Sequence, residues 1–174
     1  ALHMAAGEGH VETAKALLGL GADIEARTRE GATPLHMAAG HGATALAREL
    51  VARGADLHAQ TRTGAMPLHL AAEMGQAEAA KALLALGAAA DARSHDGATP
   101  LLIAAQEGYA ELVTLLLRAG VSAHAQLPVG STALHLAAAQ GHGEVVKVLM
   151  ELGAELHAQT QDGDTALHLA AFRG

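Results

Sequence analysis

The sequence of 174 residues has no cysteine, tryptophan or asparagine, and only one Tyr and one Phe. Without cysteine, disulfides, iron–sulfur clusters, thiolate zinc sites and cysteine nucleophiles are excluded. Eleven Lys and Arg against 18 Asp and Glu give a formal charge of −7, which is unsuited to nucleic-acid phosphates or an anionic membrane surface. No apolar run approaches the roughly 18 to 20 residues that span a bilayer. We therefore expect a soluble, cytoplasmic protein with no nucleic-acid partner and no direct membrane contact.

Alanine and an internal repeat dominate the rest of the composition. Alanine accounts for 44 residues, and the dipeptide Leu-His recurs in steps of 33 residues, with Leu101-Leu102 in the one gap. The Leu-His pairs begin at Leu2, Leu35, Leu68, Leu134 and Leu167. Because this register is kept without insertion or deletion, it predicts stacked helical units, none of which buries its apolar face alone.

Each unit carries the signals of two short helices and a turn. Thr33-Pro34 places a capping hydroxyl and a proline at the start of the first helix. The second helix has an apolar face at helical spacing, such as Val145 and Leu149, and ends before a glycine such as Gly54. Paired alanines such as Ala38-Ala39 fall where neighbouring helices must approach closely. The remaining residues of each unit predict a turn that leads into the next one.

The segments Thr33–Ala39, Gly141–Lys147 and Gly54–Leu57 together resemble the ankyrin repeat, and the resemblance covers essentially the whole chain. It implies an all-α ankyrin-repeat α-solenoid, built from helix–turn–helix units of 33 residues with projecting β-hairpin-like loops. It also implies a role in protein interaction. Three positions depart from the family pattern: Met66 replaces the capping Thr, Leu102 the motif His, and Leu127 the usual Asp at a loop start.

The period divides residues 1–174, taken as a single array, into four full repeats and two partial ones. The full repeats are 29–61, 62–94, 95–127 and 128–160, and the partial repeats are 1–28 and 161–174. Because neither terminal unit has the polar outer face that closes a solenoid, we interpret the chain as an excerpt from a longer ankyrin array. For the same reason we expect end-to-end self-association.

Twelve histidines raise the question of a metal or catalytic site, which their repeat positions answer. The resemblance implies that the imidazole after each Leu forms hydrogen bonds within its own unit and braces the loop. Leu102 cannot do so, and we expect the loop around 94–98 to be less protected. His58, His124 and His157 share another position of the repeat. Equivalent residues in stacked helical layers lie roughly 8–10 Å apart, which is too far for them to share one zinc ion. We therefore expect no metal, cofactor or catalytic residue, and no enzyme activity.

Binding residues are expected where the repeat pattern is free to vary. By resemblance, these positions are the loop tips and the exposed ends of the first helices, which line the concave face. The candidate partner-binding residues are Arg27, Arg29, Glu30, His41, Arg62, Thr63, Met74, Arg93, His95, Asp96, Glu107, Pro128, Val129, Gln140, Asp162 and Asp164. The early tips are rich in arginine, the last tip is acidic, and Pro128-Val129 forms a stiff apolar tip.

Two functions remain open from the sequence. The first is a non-catalytic scaffold or adaptor module that binds another protein, or another segment of the parent chain, on its concave face and loop tips. The alternative is a structural spacer or spring within a larger assembly, such as the cytoplasmic region of a channel or a cytoskeletal complex. A specific partner held by the tips favours the first, and association through the ends favours the second.

Overall fold

The structure is a computed structural model that describes residues 1–172, and those residues form eleven short helices. The chain divides into two compact units, Ala1–Ala89 and Ala90–Gly174. The first unit contains α1 (Leu2–Gly7), α2 (Val11–Gly19), α3 (Pro34–Gly40), α4 (Thr44–Ala52), α5 (Pro67–Glu73) and α6 (Ala77–Ala85). The second contains α7 (Pro100–Glu107), α8 (Ala110–Arg118), α9 (Ala133–Gln140), α10 (Gly143–Glu151) and α11 (Ala166–Ala171). The predicted all-α fold of stacked helical repeats is confirmed within each unit. Among the described residues, no helix is long and apolar enough to cross a membrane.

Each repeat pairs a short first helix with a longer second helix, as the sequence predicts. The first helices stack on one another within each unit, α1 on α3 and α3 on α5 in the first, and α7 on α9 and α9 on α11 in the second. The close approach depends on the paired alanines, of which Ala38, Ala39, Ala104 and Ala105 have no exposed surface. A larger side chain at these positions would force the layers apart.

The second helices supply the large apolar side chains of the core. Leu46 and Leu50 of α4, Leu112 and Leu116 of α8, and Leu149 of α10 are almost completely buried. The glycine after the second helix has the predicted left-handed conformation, with φ of +95° at Gly54. Gly54 N–H donates to Val51 O, and Ala55 N–H donates to Leu50 O, so the last carbonyls of α4 are satisfied.

Candidate partner-binding surface

A tight loop, closed by the same two backbone bonds each time, leads from one repeat into the next. In the first loop, 27–33, Thr28 N–H donates to Ala32 O at 2.9 Å and Gly31 N–H donates to Thr28 O at 3.0 Å. In the fourth loop, 126–132, the equivalent bond from Leu127 N–H to Ser131 O also measures 3.0 Å. A single bridge between Gln126 and Thr132 gives that loop the character of a hairpin. Each loop is therefore a tight turn whose tip residues keep the same arrangement within the loop.

An imidazole at the base holds the loops 27–33, 60–66 and 159–165 against the stack. His36 Nδ1 accepts from Thr33 N–H at 3.1 Å and lies 2.9 Å from Thr33 Oγ1, and Nε2 lies 3.1 Å from Ala65 O. Because a backbone N–H only donates and a carbonyl only accepts, the ring is neutral with its proton on Nε2. Burial lowers the pKa of His36 below its usual range, although the bond to Ala65 opposes this effect. His135 makes the same contacts with Thr132 and Asp164.

The structure corrects which loop each imidazole braces. The acceptor lies 29 residues further along, at Ala32 for His3, Ala65 for His36 and Asp164 for His135. The bond therefore crosses from one repeat to the loop of the next and is not confined to its own repeat. At Leu102 the missing brace belongs to the loop 126–132, and the expectation that it weakens the loop around 94–98 was misplaced.

Of the candidate residues at the tips, nearly all are exposed. The exception is Asp164, which is half-buried because it lies at the base of its loop, where its carbonyl lies 3.1 Å from His135 Nε2. The exposed tip residues are Arg27, Arg29, Glu30, Arg62, Thr63, Arg93, His95, Asp96, Pro128, Val129 and Asp162. Val129 is the most apolar of these, with 56% of its surface exposed. The Pro128 ring lies over Gly97 of the preceding tip.

Two of the tip arginines have a structural task that the sequence did not reveal. Arg27 Nη1 donates to Gly31 O at 3.3 Å and to Gln60 O, 33 residues further along, at 2.7 Å. Arg93 Nη1 repeats the arrangement with Gly97 O at 2.9 Å and Gln126 O at 2.8 Å. These side chains fasten one loop to the next, and their remaining N–H groups still face solvent.

The candidate residues at the first-helix ends share one position in the repeat and are all exposed: His41, Met74, Glu107 and Gln140. The His41 ring lies over Gly7 of the preceding repeat and its Nδ1 is 2.9 Å from Met37 O. Met74 lies over Gly40 in the same way and remains 54% exposed. A glycine in the preceding repeat therefore gives His41 and Met74 room to lie against the helix surface.

No group of three or more His, Cys, Asp or Glu within residues 1–172 is arranged to hold a metal ion. His58, His124 and His157 are exposed. His142 lies at the start of α10 but makes no side-chain capping bond there, and its Nε2 lies 2.9 Å from Gln106 O of the preceding repeat. The second unit also has an open cavity of about 540 Å³, lined by Ala90, Asp91 and His124 among others. The sequence did not predict this cavity.

Comparison with known families agrees with this geometry. A family model of ankyrin repeats matches three times, over residues 1–61, 41–126 and 101–174. The chain belongs to the ankyrin repeat family. Ankyrin repeats are in general protein–protein interaction modules and are typically non-enzymatic. No curated protein matches the chain significantly. In this ankyrin chain, the capping threonines and motif histidines of the internal repeats are buried, and nearly all the candidate residues at the loop tips are exposed.

Proposed function

We propose that this ankyrin chain is a non-catalytic module that binds another protein, or another segment of a parent chain, through its loop tips and first-helix ends. These positions line the side that is concave in ankyrin arrays. One observation carries the proposal: nearly all the variable residues at the loop tips and first-helix ends are exposed, whereas the capping threonines and motif histidines of the internal repeats are buried. A rigid framework that presents variable side chains is suited to recognition, since its binding residues lose little freedom on binding. A cytoplasmic location remains a prediction.

The tips of the first unit define the chemistry of a fitting partner. Arg27, Arg29 and Arg62 are exposed there and only Glu30 opposes them. Met74 adds exposed apolar surface at a first-helix end of the same unit. A partner segment with acidic residues beside an apolar anchor would complement this surface, with charge contributing more to specificity and association rate than to affinity.

Charge reversal at the tips tests the proposal. We expect Arg29→Glu with Arg62→Glu to weaken binding of a captured partner at least tenfold, about 1.4 kcal/mol, in isothermal titration calorimetry. The matched control is Arg48→Glu with Arg118→Glu, because these arginines lie exposed on second helices. The control should change affinity by less than about twofold. An equal loss in both variants would mean that net charge, and not the tip surface, governs binding.

A second pair of substitutions asks whether the apolar tip belongs to the same surface. Pro128→Asp with Val129→Lys alters two exposed side chains and should leave the unfolding midpoint nearly unchanged. A tenfold loss of affinity places the tip within the site. Unchanged affinity, together with a loss on charge reversal at Arg29 and Arg62, restricts the site to the basic tips.

One observation favours the alternative of a structural spacer that associates end to end. Helices α9, α10 and α11 enclose an apolar groove of about 260 Å³, lined in part by Leu134, Val146, Leu156 and Leu167. Leu167 is 75% exposed on its rim. In the first unit, Met4 and Leu20 are 76% and 86% exposed. Exposed apolar faces of this kind are typical of surfaces that contact another repeat or a second copy.

Removing the apolar character of the groove tests this alternative. Leu156→Gln with Leu167→Gln should lower the apparent molar mass at high protein concentration in size-exclusion chromatography with light scattering. Leu152→Gln, at a residue 40% exposed just after α10, serves as the control because Leu152 is not among the residues that line the groove. A chain that is monomeric at every concentration, or that associates equally in both variants, argues against the spacer function.

A further inference from the structure

Four contacts tie neighbouring loops together in the first unit. Between the loops 27–33 and 60–66, Arg62 N–H donates to Glu30 O at 2.9 Å. Arg27 Nη1 donates to Gln60 O at 2.7 Å, and His36 Nε2 donates to Ala65 O at 3.1 Å. At the segments that lead into these loops, Asp56 N–H donates to Glu25 Oε1 at 2.8 Å. We call this set the 27/60 junction.

The last two loops of the second unit are tied in a similar way. Between the loops 126–132 and 159–165, Gln161 N–H donates to Val129 O at 3.1 Å and His135 Nε2 lies 3.1 Å from Asp164 O. Gln161 Nε2 adds a bond to Pro128 O at 2.7 Å. We call this set the 126/159 junction. It shares two ties with the 27/60 junction at the same repeat positions, namely the backbone bond between the tips and the imidazole bond.

The 93/126 junction, between the loops 93–99 and 126–132 of the second unit, keeps one of the four corresponding ties. Arg93 Nη1 donates to Gln126 O at 2.8 Å, as Arg27 does to Gln60. Pro128 stands where Arg62 and Gln161 stand in their junctions, and proline has no N–H to donate. Leu102 stands where His36 and His135 stand and has no polar group to offer.

The fourth tie is also missing, and a cavity opens at the same place. Asp91 and Ser122 correspond to Glu25 and Asp56, but in the described chain no bond joins them. Both residues line the 540 Å³ cavity, together with Ala90. Ala90 and Ala123 occupy the repeat position that holds a larger apolar residue in the other repeats, namely Ile24, Leu57 and Leu156. The packing that these residues provide elsewhere is therefore absent beside the weak junction.

We propose that the 93/126 junction is a hinge, at which the loops 93–99 and 126–132 separate while the helices α7 and α9 stay packed. Pro128 and Leu102 each remove one tie at this junction, and Asp91 and Ser122 do not form a third. The Arg93 bond and the contact of the Pro128 ring with Gly97 are what remain. Helices α7 and α9 pack on one another although these ties are missing, so the loops can part without unfolding the repeats. The hinge would let the apolar tip of Pro128 and Val129 move relative to the tip before it.

Nitroxide spin labels test the hinge directly, since the chain has no cysteine of its own. One doubly labelled protein carries His95→Cys with Val129→Cys across the hinge. The matched control carries Arg29→Cys with Thr63→Cys, the same two repeat positions at the 27/60 junction. All four residues are exposed. We expect the dipolar broadening of the electron paramagnetic resonance spectrum to show one close population in the control and an additional separated population across the hinge.

Removing or adding single hydrogen bonds between the two loops then tests whether these bonds determine how often the loops separate. Arg93→Gln should lower the ratio of close to separated populations about 2- to 12-fold, the range for one net hydrogen bond. Arg27→Gln, which removes the same bond at the 27/60 junction, should leave the control spectrum nearly unchanged. Leu102→His should raise the close population across the hinge, because an imidazole there can reach Ser131 O as His36 reaches Ala65 O. Equal spectra for the two labelled pairs, or no response to Leu102→His, would overturn the proposal.

Discussion

Replacing His36 with alanine is expected to lower the free energy of unfolding by about 2–4 kcal/mol near neutral pH. The imidazole is fully buried and makes three contacts, two with Thr33 and one with Ala65 O. Each net hydrogen bond contributes about 0.5–1.5 kcal/mol, and partners left unsatisfied in the interior cost more. His58→Ala is the control, because His58 is exposed and its loss should change stability by less than about 0.5 kcal/mol. Equal losses in the two variants would contradict the role of the brace.

The same residue makes stability depend on pH in a defined direction. Because burial lowers the pKa of His36 in the folded protein, the unfolded chain binds a proton before the folded chain does. Stability from this group is fully present above about pH 6.5, the usual histidine value, and is lost as the pH falls towards the lower pKa of the folded state. Protonation of Nδ1 would also remove the bond that Thr33 N–H donates to it, whereas the Thr33 hydroxyl can then accept from Nδ1. Urea unfolding at pH 7.5 and 5.5 should show a larger loss for the wild type than for His36→Ala, with His58→Ala behaving like the wild type.

The repeat pattern predicted the helices well because their causes are local. The capping Thr33, the proline after it and the glycine at position 54 each act within a few residues, so the start of α3 and the end of α4 follow from the sequence. The buried alanine pairs follow from the same 33-residue register. These features need only the spacing of residue types along one repeat, which a single sequence displays in full.

The ties between loops could not be predicted, since they depend on which carbonyl lies within reach in three dimensions. Arg27 and Arg93 were predicted as partner-binding residues, but the sequence does not show that each also fastens its loop to the next. The acceptor of His36 was expected in its own repeat and lies in the following one. The cavity beside Ala90 reflects a missing side chain, which becomes visible in the sequence only once Leu57 and Leu156 are aligned with it. The role of the tip residues in binding stays a prediction.

Alanine at Gly31 is expected to destabilise the chain more than alanine at Gly54, although both glycines have positive φ, +84° and +95°. A non-glycine residue in this left-handed region costs about 1–2 kcal/mol, and Gly54→Ala should lose about that amount because a Cβ there meets nothing within 4 Å. At Gly31 the added Cβ would lie 3.1 Å from Arg62 N and 3.3 Å from Thr61 Cα. These are backbone atoms of the next loop, so they yield only if the two loops move apart.

Such a movement would also strain the bond from Arg62 N–H to Glu30 O, which joins the same two loops at 2.9 Å. We therefore expect Gly31→Ala to lower the free energy of unfolding by about 2–4 kcal/mol, the sum of the left-handed strain and the overpacking. Urea unfolding followed by circular dichroism measures both variants, and the comparison is valid if the dependence on urea concentration is unchanged. Because Gly54→Ala carries the conformational strain alone, the difference between the two losses isolates the contact between loops. If the two variants lose the same free energy, the tips of the loops 27–33 and 60–66 are not held in close contact in solution.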